Sequence, residues 1–232
     1  MLVLENLRKS FDGHLVLDHI DLKVAGGEIV SILGRPGSGK TTLLNLILGV
    51  YNGDCGNIII DGYNIIGVPP EERPVNVVFR DFDFLWDMNV YKNIISDIRY
   101  RPISSMSDVN EIIQLLGLED FLTKKITQLS GEQRLKVAVA RIMTTKPKVL
   151  LLDAPFEFLE RSRSDEVRES IKKLVRHYHL CALVTASKYT DVCAFGDRIV
   201  VLENGCISSW NSSRGGENER RLPRSKVRFR HG

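Results

Sequence analysis

Nine residues, Gly34-Arg35-Pro36-Gly37-Ser38-Gly39-Lys40-Thr41-Thr42, combine three glycines with a lysine and hydroxyls at a spacing suited to holding phosphate. Glycine lets backbone N–H groups turn inward around phosphate oxygens, with no side chain in the way. An apolar run, Ile29 to Leu33, precedes the segment and reads as a buried strand. Thr42 to Leu48 follows and reads as a helix start, whose unsatisfied donors and dipole favour an anion. This strand–loop–helix context is that of a P-loop. It predicts that Lys40 reaches the outer phosphates of a nucleotide and that the Thr41 hydroxyl ligates Mg2+.

A second group with chemical potential ends the run Val149-Leu150-Leu151-Leu152-Asp153, a continuous apolar strand delivering a lone carboxylate. Other titratable residues read blandly. His177 and His179 flank Tyr178 at a helix end, where a pair two residues apart shares no face and a helix-end charge is the expected role. His14 and His19 show no evident partner, and Asp191 and Asp197 fit turns and caps. Cys55, Cys181, Cys193 and Cys206 lack metal-ligand spacing and are expected to be reduced, mostly buried thiols of a cytosolic protein.

At 232 residues, 43% apolar and 26% charged, the chain can bury a sizeable core in one large domain or two small ones. No stretch reaches the ~18 apolar residues of a membrane span, and the first residues, MLVLENLRKSF, lack the pattern of a signal peptide. Charge is uneven. Residues 214–232 hold seven Lys/Arg and two Glu, a net of +5, against +3 for the whole chain, which leaves −2 for residues 1–213. The body is therefore not a basic nucleic-acid binder, and no nucleic acid partner is expected. The tail is polar and glycine-bearing, with disorder as its expected state; contact with an anionic membrane surface or RNA is the alternative.

Around these groups the sequence predicts strands at Leu2–Leu7, Leu17–Val24, Asn57–Ile60, Val75–Phe79, Val149–Leu152, Cys181–Thr185, Arg198–Leu202 and Cys206–Trp210. Lys9-Ser10-Phe11-Asp12-Gly13 reads as a turn with an exposed aromatic, and Asn204-Gly205 as a hairpin turn. From Phe82 to about Thr145 the pattern turns helical, with helices at Val90–Ile98, Val109–Leu116 and, less cleanly, Val137–Met143; Ser107 and Asp108 are candidate caps. Ser164–Tyr178 reads as an amphipathic helix. The expected architecture is α/β: a P-loop NTPase core with a mainly parallel sheet, N-terminal antiparallel β strands and an inserted helical subdomain. The domain would span 1–213, with the helical part at about 82–145 and the basic tail at 214–232.

The order of P-loop, Leu129-Ser130-Gly131-Glu132-Gln133 and the strand ending in Asp153 resembles the ATP-binding subunits of ABC transporters, from about Leu2 to Trp210. LSGEQ stands where that family has LSGGQ. The run Val68-Pro69-Pro70-Glu71-Glu72-Arg73-Pro74-Val75 before Phe79 is similar to importer subunits for polyamines, sugars, sulfate or thiamine, many of which carry a further C-terminal regulatory domain that this length leaves no room for. The resemblance implies ATP and Mg2+ as cofactors, with Phe11 stacking on adenine (a plain core or surface Phe being the alternative) and Asp153 holding Mg2+ with Thr41. It implies that Ser130, Gly131, Glu132 and Gln133 face a nucleotide held by a second ATP-binding subunit, in a homodimer or heterodimer. It also implies permease subunits as partners and a place on the inner face of the cell membrane. Phe82, Phe84, Leu85 and Trp86 fall where the family receives a helix of the membrane subunit; packing within the helical region is the competing reading.

The departures fall on the chemistry. Ala154 replaces the family's general-base glutamate, Ala186 its γ-phosphate histidine and Arg80 its glutamine, while Glu157 and Glu160 stand where Ser and Asp are usual. Glu132 puts a carboxylate where phosphate should arrive. Arg80 is read either as an arginine finger or as paired with Asp81 or Asp83. No catalytic set is intact, so the expectation is a chain that binds Mg-ATP and hydrolyses it weakly or not at all. It would act as a transporter subunit or, alternatively, as a pseudo-ATPase whose output is nucleotide-gated interaction.

Overall fold

Uniformly apolar strands become two-faced when a parallel sheet is covered on both sides. The computed structural model describes residues 1–79, 81–96, 105–157, 159, 164–193 and 195–209. Within them a six-stranded sheet runs in the order β10 (Cys206–Ser209), β9 (Arg198–Glu203), β3 (Ile29–Leu33), β8 (Cys181–Ala186), β7 (Val149–Leu152), β6 (Val75–Val78). All neighbours are parallel except β10, which returns antiparallel through Asn204-Gly205, both at positive φ as a tight hairpin requires. A second, antiparallel sheet orders β2 (His14–Val24), β1 (Leu2–Phe11), β4 (Cys55–Ile60) and β5 (Tyr63–Asn64).

Alternate residues of the six-stranded sheet enter different cores. Val30, Ile32, Val149, Leu151, Cys181 and Leu183 pack with helix α1 (Lys40–Leu48) and the antiparallel sheet. Ile29, Leu150, Leu152, Ala182 and Val184 pack with helices α2 (Val90–Ile94), α3 (Met106–Leu116), α4 (Gly131–Met143) and α5 (Ser164–His177). By this two-residue alternation Asp153 and Thr185 follow Leu151 and Leu183 and face the α1 side. The carboxylate and the P-loop helix thus meet at the C-terminal edge of the sheet, where α/β folds place their ligands.

The ends of α1 are held differently. Its C-terminal carbonyls would be left open, but the buried Arg73 guanidinium donates to the carbonyls of Leu46 at 2.9 Å and Ile47 at 3.0 Å, and through Nε to Val68 at 2.8 Å. Arg73→Met, which keeps the stem and removes three charged donors, is expected to cost about 2–4 kcal/mol in urea unfolding, because buried carbonyls lose their partners.

Several expected boundaries shift. Lys9 to Phe11 belongs to β1 rather than a turn, because the reversal is confined to Asp12 and Gly13, at φ 49° and 80°. β6 ends at Val78, so Phe79 is outside it; β8 extends one residue further, to Ala186. Helix α2 ends at Ile94, short of the expected residue 98: Ile95 and Ser96 have left the α-helix, residues 97 and 98 lie outside the described residues, and so does Trp210 beyond β10. Ser105 rather than Ser107 or Asp108 caps α3. Its hydroxyl accepts from the Asp108 N–H while the Asp108 carboxylate accepts from the Ser105 N–H. Lys146 and these Ser105 bonds hold the Asp108 carboxyl down at about 2. The cysteines are free, but only Cys181 is buried; Cys55, Cys193 and Cys206 are exposed. His19 does have partners, Asn6 through Nδ1 and the Asp18 carboxylate 3.6 Å from Nε2. His177 pairs with Glu111 at 3.0 Å, tying α5 to α3. Asp197 fits its turn, accepting from the Ile29 N–H at 2.9 Å.

Candidate functional site

Residues 34–39 form the loop between β3 and α1, and contacts that exclude side chains set its shape. A Cβ on Gly34 would lie 2.7 Å from the Leu202 carbonyl and closer still to Ser38 Oγ. Gly39, at φ 100°, would press a Cβ to 3.0 Å from Leu17 and 3.2 Å from the Val16 carbonyl. Arg35, Pro36 and Gly37 lie exposed at the rim, and Thr42 is half-buried in the first turn of α1.

Lys40 is only 8% exposed. Its ammonium curls back under the loop, donating to the carbonyls of Gly34 at 2.7 Å and Arg35 at 2.9 Å. Burial lowers its pKa, against the attraction of the Asp153 and Glu157 carboxylates. Ser38 Oγ is buried and has no hydrogen-bond partner among the described residues. A buried cation whose hydrogen-bond acceptors among the described residues are neutral carbonyls, beside an orphaned hydroxyl at a helix N-terminus, suits a polyphosphate.

Beside this cradle the exposed Thr41 hydroxyl donates to Asp153 Oδ2 at 3.1 Å. The other carboxylate oxygen accepts from the buried Thr185 hydroxyl at 2.6 Å, and Thr185 Oγ1 in turn accepts from the Ala154 N–H at 2.9 Å. Sequence reasoning missed Thr185. Strand alternation together with the β7–β8 register, which sets Leu152 beside Val184, is the signal that would have found it. Among the described residues no group of three or more His, Cys, Asp or Glu side chains is placed to hold an ion. One hydroxyl and one carboxylate, completed by phosphate oxygens and water, is the sparse donor set that suits Mg2+.

The remaining candidates sit as follows. Ala154 takes φ 50° immediately after Asp153 and borders a cavity of about 330 Å³ lined also by Asp81, Phe82, Trp86, Gly131, Arg134 and Leu159. Ala186 is 2% exposed beside Leu33 and Ile199, and its carbonyl accepts from the Gly34 N–H at 3.1 Å. Arg80 and Glu160 lie outside the described residues, and so does the basic tail. Ser130 caps α4 in a reciprocal pair with Gln133, while Glu132 lies half-buried in the first turn, where its charge complements the helix dipole. No hydrogen bond joins Ser130 to Gln133 with residues 34–42 among the described residues; only Gly131 borders the same cavity as Ala154. Phe11 stands at the β1–β2 hairpin, 36% exposed.

Comparison with known proteins places the chain in a family. The ABC transporter family model matches residues 17–157, more than half of the chain and spanning the P-loop, Ser130 to Gln133 and Asp153. The chain belongs to the ABC transporter family. Among curated ABC proteins it is 35% identical over 217 residues to a spermidine/putrescine import ATP-binding protein, PotA, of Marinobacter nauticus, covering 92% of this chain and 58% of that one. It thus spans rather more than half the length of the curated relatives it matches. Among solved structures, cbiO1 of Clostridium perfringens, part of an ABC transporter complex, shares the fold at TM-score 0.84 and 23% identity, over 94% of this chain and 91% of the other. A dimeric bacterial ABC transporter cassette matches at TM-score 0.74 and 26% identity, over 90% and 97%. The expected fold class holds: the ABC cassette's sheets, mainly parallel and N-terminal antiparallel, are both present.

Proposed function

We propose that this chain is the ATP-binding subunit of an importer: it holds Mg-ATP in residues 34–42, dimerises around nucleotide, couples its state to permease subunits and turns ATP over slowly. The observation that carries the reading is the pairing of an assembled binding set with an empty base position. Lys40 lies under the loop and Thr41 is hydrogen-bonded to Asp153 beside it, while the next residue, Ala154, offers only a methyl group. In this reading Gly34 to Gly39 and Lys40 bind the polyphosphate, Phe11 stacks on adenine, and Thr41 with Asp153 holds Mg2+. When bound, Mg2+ neutralises phosphate charge and templates its oxygens. Thr185 and Thr41 fix the rotamer of the Asp153 carboxylate.

Ser130 to Gln133, at the N-terminus of α4, would meet the nucleotide of a second subunit, identical or not, as the dimeric relative suggests. Exposed Leu85, Trp86 and Met88 supply an apolar patch for a permease helix, whereas Phe84 is buried in the core beneath them. The buried Asn93 braces the patch, accepting from the Leu85 N–H at 2.8 Å and donating to its carbonyl at 3.0 Å. The site of action would be the cytoplasmic face of the membrane, and the relatives make polyamines the first cargo to test. No described helix is long and apolar enough to cross a membrane.

The second reading, a nucleotide-gated interaction module with no turnover, draws on Ala186. Its methyl is packed away beside Leu33 and Ile199, where a γ-phosphate contact would be needed. Calorimetric ATP titration beside a phosphate-release assay, alone and with co-expressed permease, separates the two. Micromolar binding with release appearing only with the permease supports the subunit reading, and binding without release in both supports the module. Thr185→Val is expected to weaken Mg2+-dependent ATP binding about 10-fold and leave binding in EDTA within 2-fold, with Thr185→Ser restoring it. The arithmetic is one hydrogen bond to a charged acceptor, ~1.5 kcal/mol.

A further inference from the structure

Tyr51 is an exposed aromatic that no role described so far uses. Its ring meets Phe11 edge-on, centroids 5.2 Å apart at 75°, the geometry that aromatic quadrupoles favour. The Tyr51 backbone is drawn back onto α1, its N–H donating to the Asn45 carbonyl at 3.3 Å together with those of Gly49 and Val50. Asp54 closes the other side. Its carboxylate accepts from the Ser10 N–H at 2.6 Å and from Lys9 Nζ at 3.2 Å, and its N–H donates to the Arg8 carbonyl at 2.9 Å. Lys9 Nζ in turn stands 5.0 Å from the centroid of the Phe11 ring. A side chain at a hairpin tip would otherwise sample several rotamers; here the Tyr51 ring and Lys9, itself held by Asp54, restrain it.

The location fits a nucleobase. Phe11 pairs across the hairpin with His14, and Val16, two residues further on, abuts Gly39 of the phosphate loop. Two strand residues and one strand spacing put the Phe11 backbone about 8 Å from Val16 beside the loop, comparable with the reach from phosphate to base in a nucleotide.

We propose that Tyr51 is a positioning residue of the nucleobase site: it locks the Phe11 ring against α1, so that base stacking draws on a preformed platform tied to the helix that carries Lys40. This rests on the nucleotide-binding reading and adds to it a residue outside residues 34–42 and apart from Phe11. Because the platform touches only the base, Tyr51 contributes to affinity for ATP and nothing to affinity for phosphate alone. The pre-organisation gained is that of one aromatic pair, which predicts a 3- to 10-fold effect.

The test titrates wild type, Tyr51→Leu, Tyr51→Phe and Phe11→Leu with ATP and with inorganic tripolyphosphate, each with Mg2+. Tyr51→Leu is expected to weaken ATP 3- to 10-fold and tripolyphosphate less than 2-fold, with Tyr51→Phe at wild-type values. Phe11→Leu should lose at least as much on ATP alone. Equal losses on both ligands would mean that Tyr51 merely supports the fold, and they overturn the proposal. An unchanged Tyr51→Leu beside a weakened Phe11→Leu overturns it too, while leaving the nucleotide site standing. If wild type binds neither ligand, the nucleotide-binding reading fails first and the proposal falls with it.

Discussion

Lys40→Ala is expected to weaken Mg-ATP binding by about 100-fold without destabilising the protein. The ammonium lies buried under the loop on two neutral carbonyls, and desolvation already disfavours its charge. Its removal relieves a desolvation cost that offsets the loss of a donor by two carbonyls, while deleting the buried ammonium that the cradle offers to phosphate. Charge-assisted hydrogen bonds of this kind are worth ~1.5–3 kcal/mol, and a 100-fold loss corresponds to ~2.7 kcal/mol. Calorimetry measures the affinity, and a urea midpoint close to that of wild type measures the stability. A fall in the midpoint that matches the loss of affinity would show the lysine to be structural.

Installing the missing chemistry should have the opposite sign and a larger size. Ala154→Glu is expected to raise phosphate release 10²- to 10⁴-fold, the range of a well-placed general base. Space is available, because Ala154 borders a cavity of about 330 Å³, and its N–H stays anchored on Thr185 Oγ1. Glutamate inherits the φ of 50° at no greater cost than alanine already bears. Ala154→Gln, of the same shape, should gain nothing, which separates proton transfer from water placement by bulk. Ala186→His is harder: the methyl packs against Leu33 and Ile199, so a ring there costs about 1–3 kcal/mol of overpacking. The double variant should therefore exceed Ala154→Glu in rate but unfold at lower urea.

The features most legible in the sequence are those in which residue type and spacing carry the physics alone. Three glycines before Lys40-Thr41, between an apolar strand and a helix, admit few other folds, and the loop lies where the sequence put it. The Asp153 carboxylate was readable because an apolar strand rarely ends on a lone acid by chance. Thr185 was hidden because β8 is buried from Cys181 to Ala186 on both faces, so no polar–apolar alternation marks which side each residue takes. Ser105 was overlooked as the α3 cap because Ser107 and Asp108 lie closer to the first buried apolar position, Val109. The three exposed thiols were misjudged because cysteine burial is set by where elements begin and end, Cys55 and Cys206 opening strands and Cys193 closing the short helix Tyr189–Val192, which composition cannot reveal. Phe11 was placed in a turn because nothing local shows that the β1–β2 ladder runs to the last residue before Asp12.

The central claim is that the chain retains intact ATP. Its most direct test mixes purified protein with a slight molar deficit of ATP and excess Mg2+, then follows the nucleotide by chromatography over an hour. The account predicts that most of the nucleotide is recovered as bound ATP, and that the Ala154→Glu protein converts it to ADP within minutes. Wild-type conversion to ADP and phosphate at the speed of that variant would contradict it.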